Sequence, residues 1–286
     1  MTLRHTNSPL VHVLTFSKMV GIKLKKPMEF CTNSHTPNLY VSILDKILED
    51  ETVSGQNIEG SWRQIHSFIL DQPSTSAGIV YCMTQVQCEK VATWLSQQEH
   101  TGALITTAHY HGGMISSDRS QVYKDFMTGK IRVVVATNAF GMGVDKADVG
   151  WIVHHTMPQS IEAYVQEIGR AGRDGERANC MLLFSPKNLQ NIKIVFQKNT
   201  ENQESKRSKL KEMAKYCFNT KDCRHQMLLD HFGDQLKVSR GCKMCDVCAT
   251  PTGLVLTEAQ EKRGSGGKRP QRSSHSSLEP DQRKRR

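Results

Sequence analysis

From residue 77 to residue 185, five short apolar runs alternate with segments whose apolar residues recur at helical spacing, and few folds satisfy that order. The runs are AGIVYCM (77–83), TTAHYH (106–111), IRVVVAT (131–137), WIVHHT (151–156) and CMLLFS (180–185), each predicting a strand. Between them one helix is predicted from Thr84 to about His100, with Cys88, Val91 and Leu95 on one face. A second is predicted from Ser117 to Thr128, stopped by Gly129, and a third from the capping residue Ser160 through Ile168. Strands apolar along their whole length are buried on both sides, so the fold class is α/β: a parallel-sheet lobe with helices on both faces. Ligands of such sheets bind beyond the strand C-terminal ends. That rule brings together the loop after VVVAT, whose Gly141 and Gly143 let a backbone approach closely, and the turn after WIVHHT that leads into the third helix. Ahead of the lobe, residues 41–72 are predicted to add two helices, with Trp62, Ile65, Phe68 and Ile69 on one packed face. A Pro-Ser-Thr-Ser linker follows at 73–76.

Four of the nine cysteines form a second pattern: Cys223, then Cys242, Cys245 and Cys248 in GCKMCDVC. C-x2-C steps present thiolates to one ion, and the interval after Cys223 is long enough for RHQMLLDHFGD to leave as a helix, end at Gly233 and return. The pattern predicts structural zinc, because four thiolates leave no position open for water. An iron-sulfur cluster would want a fourth close cysteine followed by proline, which is missing. Cys31, Cys82, Cys88, Cys180 and Cys217 are scattered and are expected to be packing residues.

The formal net charge of +10 is concentrated at one end, since Lys262 to Arg286 carry nine Lys/Arg and two Asp/Glu. That segment has hardly any apolar residues to offset the entropy of ordering, so residues 251–286 are predicted to be a disordered basic tail. Its KRP and RKRR clusters suit an import receptor, a partner protein or loose phosphate contact; a solvating tail with no reader is the plain alternative. No apolar run approaches the roughly 18 residues a membrane span needs, and the N-terminus lacks a secretory pattern. An intracellular chain with no membrane partner is expected.

EAYVQEIGRAGRDGERANC, residues 162–180, carries two arginines three apart, each behind a glycine, after a predicted helix. By itself this suggests either an anion site or a surface pairing of Arg170 and Arg173 with Asp174 and Glu176. ATNAFGMGVDKADV followed by QEIGRAGRDG, with YCMTQVQCEKVATWL and YHGGMISSDRSQVYKDFMTGKIRVVVAT before them, resembles motifs IV, V and VI of the RecQ family of superfamily 2 DNA helicases. The resemblance continues through LKEMAKYCFNTKDCRHQMLLDHFGD to GCKMCDVC, similar to that family's zinc subdomain, and PNLYVSIL from Pro37 is similar to its linker strand. It covers about residues 20–250 and leans toward the Werner and Bloom type.

The resemblance implies a second RecA-like lobe at 77–198, entered through a linker strand and helices at 37–76. A zinc-binding subdomain would follow at 199–250, and residues 1–36 would be a divergent linker remnant. It implies an ATP-dependent 3′ to 5′ DNA helicase of recombination, repair and replication, in the nucleus. Arg173 would reach the γ-phosphate, Arg170 would assist, and Gln166 would couple nucleotide state to the lobe interface. Asp145 and Gly143 would border the nucleotide, with Asp145 meeting the ribose or the arginines. Single-stranded and forked DNA would be held through Thr137, Asn138, His111, Arg119 and Lys146, the last three equally open to a plain surface role.

No stretch fits G-x-x-x-x-G-K-[ST], and no Asp-Glu-x-His box follows an apolar strand. The first lobe is therefore expected to be missing, with ATP and magnesium binding only in its company and the chain alone failing to hydrolyse ATP. A winged-helix domain is not expected after Cys248. The alternative function is a non-catalytic module that binds single-stranded DNA or a partner.

Overall fold

The computed structural model describes residues 37–48, 50–53, 56–140, 145–186, 189, 203–234 and 241–249. The expectations for residues 1–36, Cys31, Gly141, Gly143 and the basic tail lie outside the described residues. All described residues belong to one compact unit, which runs to Thr250.

Six strands form a single parallel sheet: β1 (Leu39–Asp45), β4 (Ala77–Tyr81), β7 (Thr107–Tyr110), β8 (Val133–Ala136), β9 (Val149–His154) and β10 (Ala178–Phe184). Their spatial order is β1-β10-β9-β4-β8-β7. Every residue of β4 and of β8 is buried, as their unbroken apolar composition requires. Alternation along the strands divides the interior in two. Val80, Val133, Val135 and Trp151 face α1 (Gly60–Leu70) and α2 (Gln85–Leu95). Ile79, Val134, Ala136 and Ile152 face α3 (Ser116–Met127) and α4 (Ile161–Ile168). The helices α5 (Gln203–Phe218) and α6 (Arg224–Phe232) join that second side through Met213, Tyr216 and Leu228, so cysteine region and lobe share one core. Among the described residues no helix is long and apolar enough to cross a membrane.

Local chemistry explains the helix ends. The Thr84 hydroxyl accepts from Gln87 N at 3.2 Å, and Ser160 Oγ accepts from Ala163 N at 3.2 Å. Gly129 (φ 77°) and Gly233 (φ 70°) follow α3 and α6 in the left-handed region. Cys82, Cys88, Cys180 and Cys217 are buried, as packing residues should be, and burial pushes the Cys180 and Cys217 thiols up to about 12.

Two predicted helices are corrected. Among the described residues of 41–72 there is one helix, and LYVSILD lies along β10 from Leu39↔Ala178 to Asp45↔Phe184 as the strand that its likeness to a linker strand implied. The chain then makes a hairpin of β2 (Asp50–Val53) and β3 (Gln56–Glu59) before α1. The stripe of Trp62, Ile65 and Ile69 is buried as expected, with Phe68 packed against it. The helix from Thr84 stops at Leu95, where its apolar positions run out. Thr101 (φ 55°) and Gly102 (φ 79°) then fold β5 (Glu99–His100) back on β6 (Ala103–Leu104).

Gly78 in β4 has a steric reason. A Cβ there would lie 2.0 Å from Cε2 of the buried Trp151 ring, which cannot retreat inside the sheet core. Gly78→Ala is expected to cost roughly 1–3 kcal/mol of unfolding free energy in urea titration, the usual range for overpacking.

Candidate functional site

The four predicted cysteines converge. The Sγ atoms of Cys223, Cys242, Cys245 and Cys248 all lie within 4.8 Å of one another, with Cys223 to Cys242 at 3.5 Å and Cys242 to Cys245 at 3.8 Å. A tetrahedral zinc with Zn–S bonds of about 2.3 Å sets its thiolates about 3.8 Å apart, so the donor set fits that ion. Cys223 precedes α6, Cys245 precedes the short helix α7 (Asp246–Ala249), and Gly241 (φ 83°) and Lys243 (φ 55°) bend the chain around Cys242.

A buried polar clasp ties this centre to the lobe. Val41 N donates to Met244 O at 3.0 Å, so the cysteine loop covers the free edge of β1. Asp246 accepts from Ile43 N at 2.9 Å and from Arg224 Nη2 at 2.9 Å, while Arg224 Nη1 donates to Tyr216 O at 3.0 Å. His225 Nε2 lies 3.1 Å from Leu39 O and 3.0 Å from Met244 O. These three residues were missed from sequence. Their only signal was that each adjoins a ligand cysteine or its neighbour, which says nothing about who pairs with whom.

The arginine pair follows α4, and its backbone lies at the opposite end of the sheet from the loops that the sheet rule brought together. Because α4 runs back along the sheet, the loop after it lies where β9 and β10 begin: Gly172 N donates to Val149 O at 2.9 Å. Asn38 Nδ2 donates to Gly172 O at 2.7 Å and Glu176 O at 2.9 Å. Gly172 (φ 64°) admits this contact only without a side chain, since a Cβ would lie 2.5 Å from Asn38 Nδ2.

Within that loop Arg173 Nη1 donates to Asp145 Oδ1 at 2.7 Å and Nε donates to Gly169 O at 3.2 Å. The Arg173 side chain is 35% exposed and that of Asp145 87% exposed, so this ion pair stands at a rim. Asp145 thus meets one of the arginines. Arg170 is buried, with Nε unpartnered among the described residues, and lies against Tyr81. Burial pushes the Tyr81 hydroxyl well above its ordinary value, against the opposing charge and hydrogen bond of Arg170. Tyr81 also donates to Phe140 O at 3.1 Å and stacks on His154, whose Nε2 lies 2.9 Å from Glu167 Oε2. Gln166 is exposed on α4.

The residues predicted to face DNA divide. Thr137, Asn138 and His111 gather at the C-terminal ends of β7 and β8, where Thr137 N donates to Tyr110 O at 3.2 Å. Asn138 is exposed, Thr137 is buried, and Arg119 is half-buried on the first turn of α3. His111 is buried against Glu89 at 3.0 Å. Lys146 is also buried, its Nζ 2.9 Å from Asp148 Oδ1 and 3.4 Å from Met127 O, apart from the others.

Two family descriptions match adjoining stretches: the helicase conserved C-terminal domain over residues 61–175 and RecQ zinc-binding over 174–249. The chain is 32% identical over 247 residues to the ATP-dependent DNA helicase hus2/rqh1 of Schizosaccharomyces pombe, covering 84% of this chain and 17% of that protein. It is 31% identical to the ATP-dependent helicase SGS1 of Saccharomyces cerevisiae, covering 83% of this chain and 16% of that protein. It is 35% identical to the ATP-dependent DNA helicase Q1 of Pongo abelii, covering 83% of this chain and 34% of that protein. The chain thus spans about a third or less of the length of these curated relatives. A DEAD box protein from Methanococcus jannaschii is similar in structure at TM-score 0.43 and 20% identity, over 65% of this chain and 46% of that chain. The two matches follow one another without a gap, the first over β4, β7, β8 and β9 of the parallel sheet and the second from β10 onto the cysteine centre, and the chain therefore belongs to the RecQ family of superfamily 2 helicases, of which it carries a C-terminal region.

Proposed function

We propose that this chain supplies the second RecA-like lobe and the zinc-bearing brace of an ATP-dependent DNA helicase of 3′ to 5′ polarity, working in the nucleus in recombination, repair and replication. The observation that carries the proposal is the Arg173–Asp145 pair at the rim of the lobe. An exposed carboxylate holds a guanidinium extended and is readily exchanged for a phosphate, which the planar fork binds as well. Arg173 is the group that reaches a γ-phosphate, Arg170 assists it from its buried place against Tyr81, and Gln166, exposed on α4, couples nucleotide state to the lobe interface. Asp145 and Gly143 border the nucleotide. Thr137, Asn138 and Arg119 grip single-stranded or forked DNA, with His111 behind them; Lys146, buried with Asp148, is the weakest member of that set.

The lysine and acid that hold ATP and magnesium belong to the first lobe, so this chain alone turns over no ATP. The purified chain is expected to show no DNA-stimulated ATP hydrolysis above background. Turnover that Arg173→Ala abolishes would refute this. Binding of single-stranded DNA without turnover, weakening steeply with salt, would be the result of the phosphate-gripping edge acting alone.

A further inference from the structure

We propose that Glu89, His109 and His111 form a second metal site, for a divalent transition metal of the zinc class, separate from the four cysteines. One donor atom from each of the three residues lies within 4.8 Å of the others. The fold makes this convergence for local reasons. His109 and His111 are two apart at the end of β7, so both project from one face of an edge strand. Their rings lie 5.3 Å apart, within 13° of parallel. The helix α2 crosses that face, anchored by its buried Cys88, Val91 and Leu95 and by the Thr107 hydroxyl, which donates to Ala92 O at 2.9 Å. Glu89 stands one turn before Ala92, toward the end of the strand, and its Oε1 is 3.0 Å from His111 Nε2.

An ion pair between Glu89 and His111 accounts for two of these groups and leaves His109 without a purpose. A metal uses all three donors and takes both rings neutral. Nitrogen and oxygen ligands at about 2.0–2.2 Å from zinc stand roughly 3.3 Å apart, so the present spread closes by side-chain rotation alone. Glu89 is half exposed and His109 half-buried, which leaves them free to make that rotation, while His111, 5% exposed, supplies the fixed ligand. Its Nδ1 is buried with no partner among the described residues, a polar atom that the ion pair with Glu89 leaves unaccounted for. Two imidazoles and one carboxylate select zinc, copper or nickel over magnesium or calcium, and three protein ligands leave a fourth position for water or an incoming group. Unlike the cysteine centre, this site is open.

The test is the zinc content of the full chain after saturation and desalting. About two equivalents per chain are expected for the natural sequence and about one for His109→Ala, the remainder being held by the cysteines. Cobalt substitution separates the two sites. His109→Ala should remove the ligand-field bands of a nitrogen-oxygen site and keep the sulfur-to-cobalt charge-transfer band, which also reports that the variant is folded. If that band is lost, Glu89→Gln at the exposed position takes its place. A natural chain that holds one equivalent, or a second equivalent that survives both substitutions, overturns the proposal.

Discussion

Chelation of the metal is expected to unfold residues 203–249 and to strip amide protection from β1 at the same time. A structural zinc contributes on the order of 10 kcal/mol to a small site of this kind. The loss should reach β1 because Val41 N and Ile43 N donate into the cysteine region, to Met244 O and to the Asp246 carboxylate. Strands β4 and β8, buried on both faces by other elements, should keep their protection. Hydrogen exchange with and without chelator reads all of these segments in one measurement. Unchanged protection from 203 to 249 would show that the cysteines hold no structural ion, and loss there without loss in β1 would show that the clasp adds nothing.

The second large effect is expected at Arg224. Its side chain is 4% exposed and pairs with Asp246, itself 22% exposed, while a third donor satisfies Tyr216 O. Removing one partner of a buried pair leaves an uncompensated charge, so Arg224→Ala should lower unfolding free energy by roughly 3–5 kcal/mol. The pair as a whole is worth far less, because desolvation offsets most of the attraction. The double variant Arg224→Ala, Asp246→Ala should therefore be less damaged than the sum of its singles, which denaturant titration of the four proteins would measure. Additive losses would mean that Arg224 acts through packing on Tyr216, over whose ring its guanidinium carbon lies at 5.6 Å.

The elements legible from sequence were those whose signal is local. Val133 to Ala136 form a strand because four consecutive apolar residues cannot face water on either side, and Ser160 caps α4 because a hydroxyl satisfies the free N–H of Ala163. The four cysteines announced a shared ion through their spacing, and their sulfurs do converge. Residues 46–59 misled because a short hairpin has too little apolar periodicity to outweigh an adjacent helical stripe, whereas Leu39–Asp45 forms the strand that its likeness to a linker strand implied.

Composition and spacing therefore settled the parallel sheet and the cysteine cluster, since burial of apolar strands and thiolate geometry act within a few residues of chain. Three-dimensional packing alone decided that the arginine loop stands where β9 and β10 begin, because α4 must travel back along the sheet before the next parallel strand can start. It alone joined Arg173 to Asp145, Arg224 to Asp246, and Glu89 to His111, with His109 beside them. Charged and polar groups choose partners by distance in space, and that distance is set by the elements that carry them.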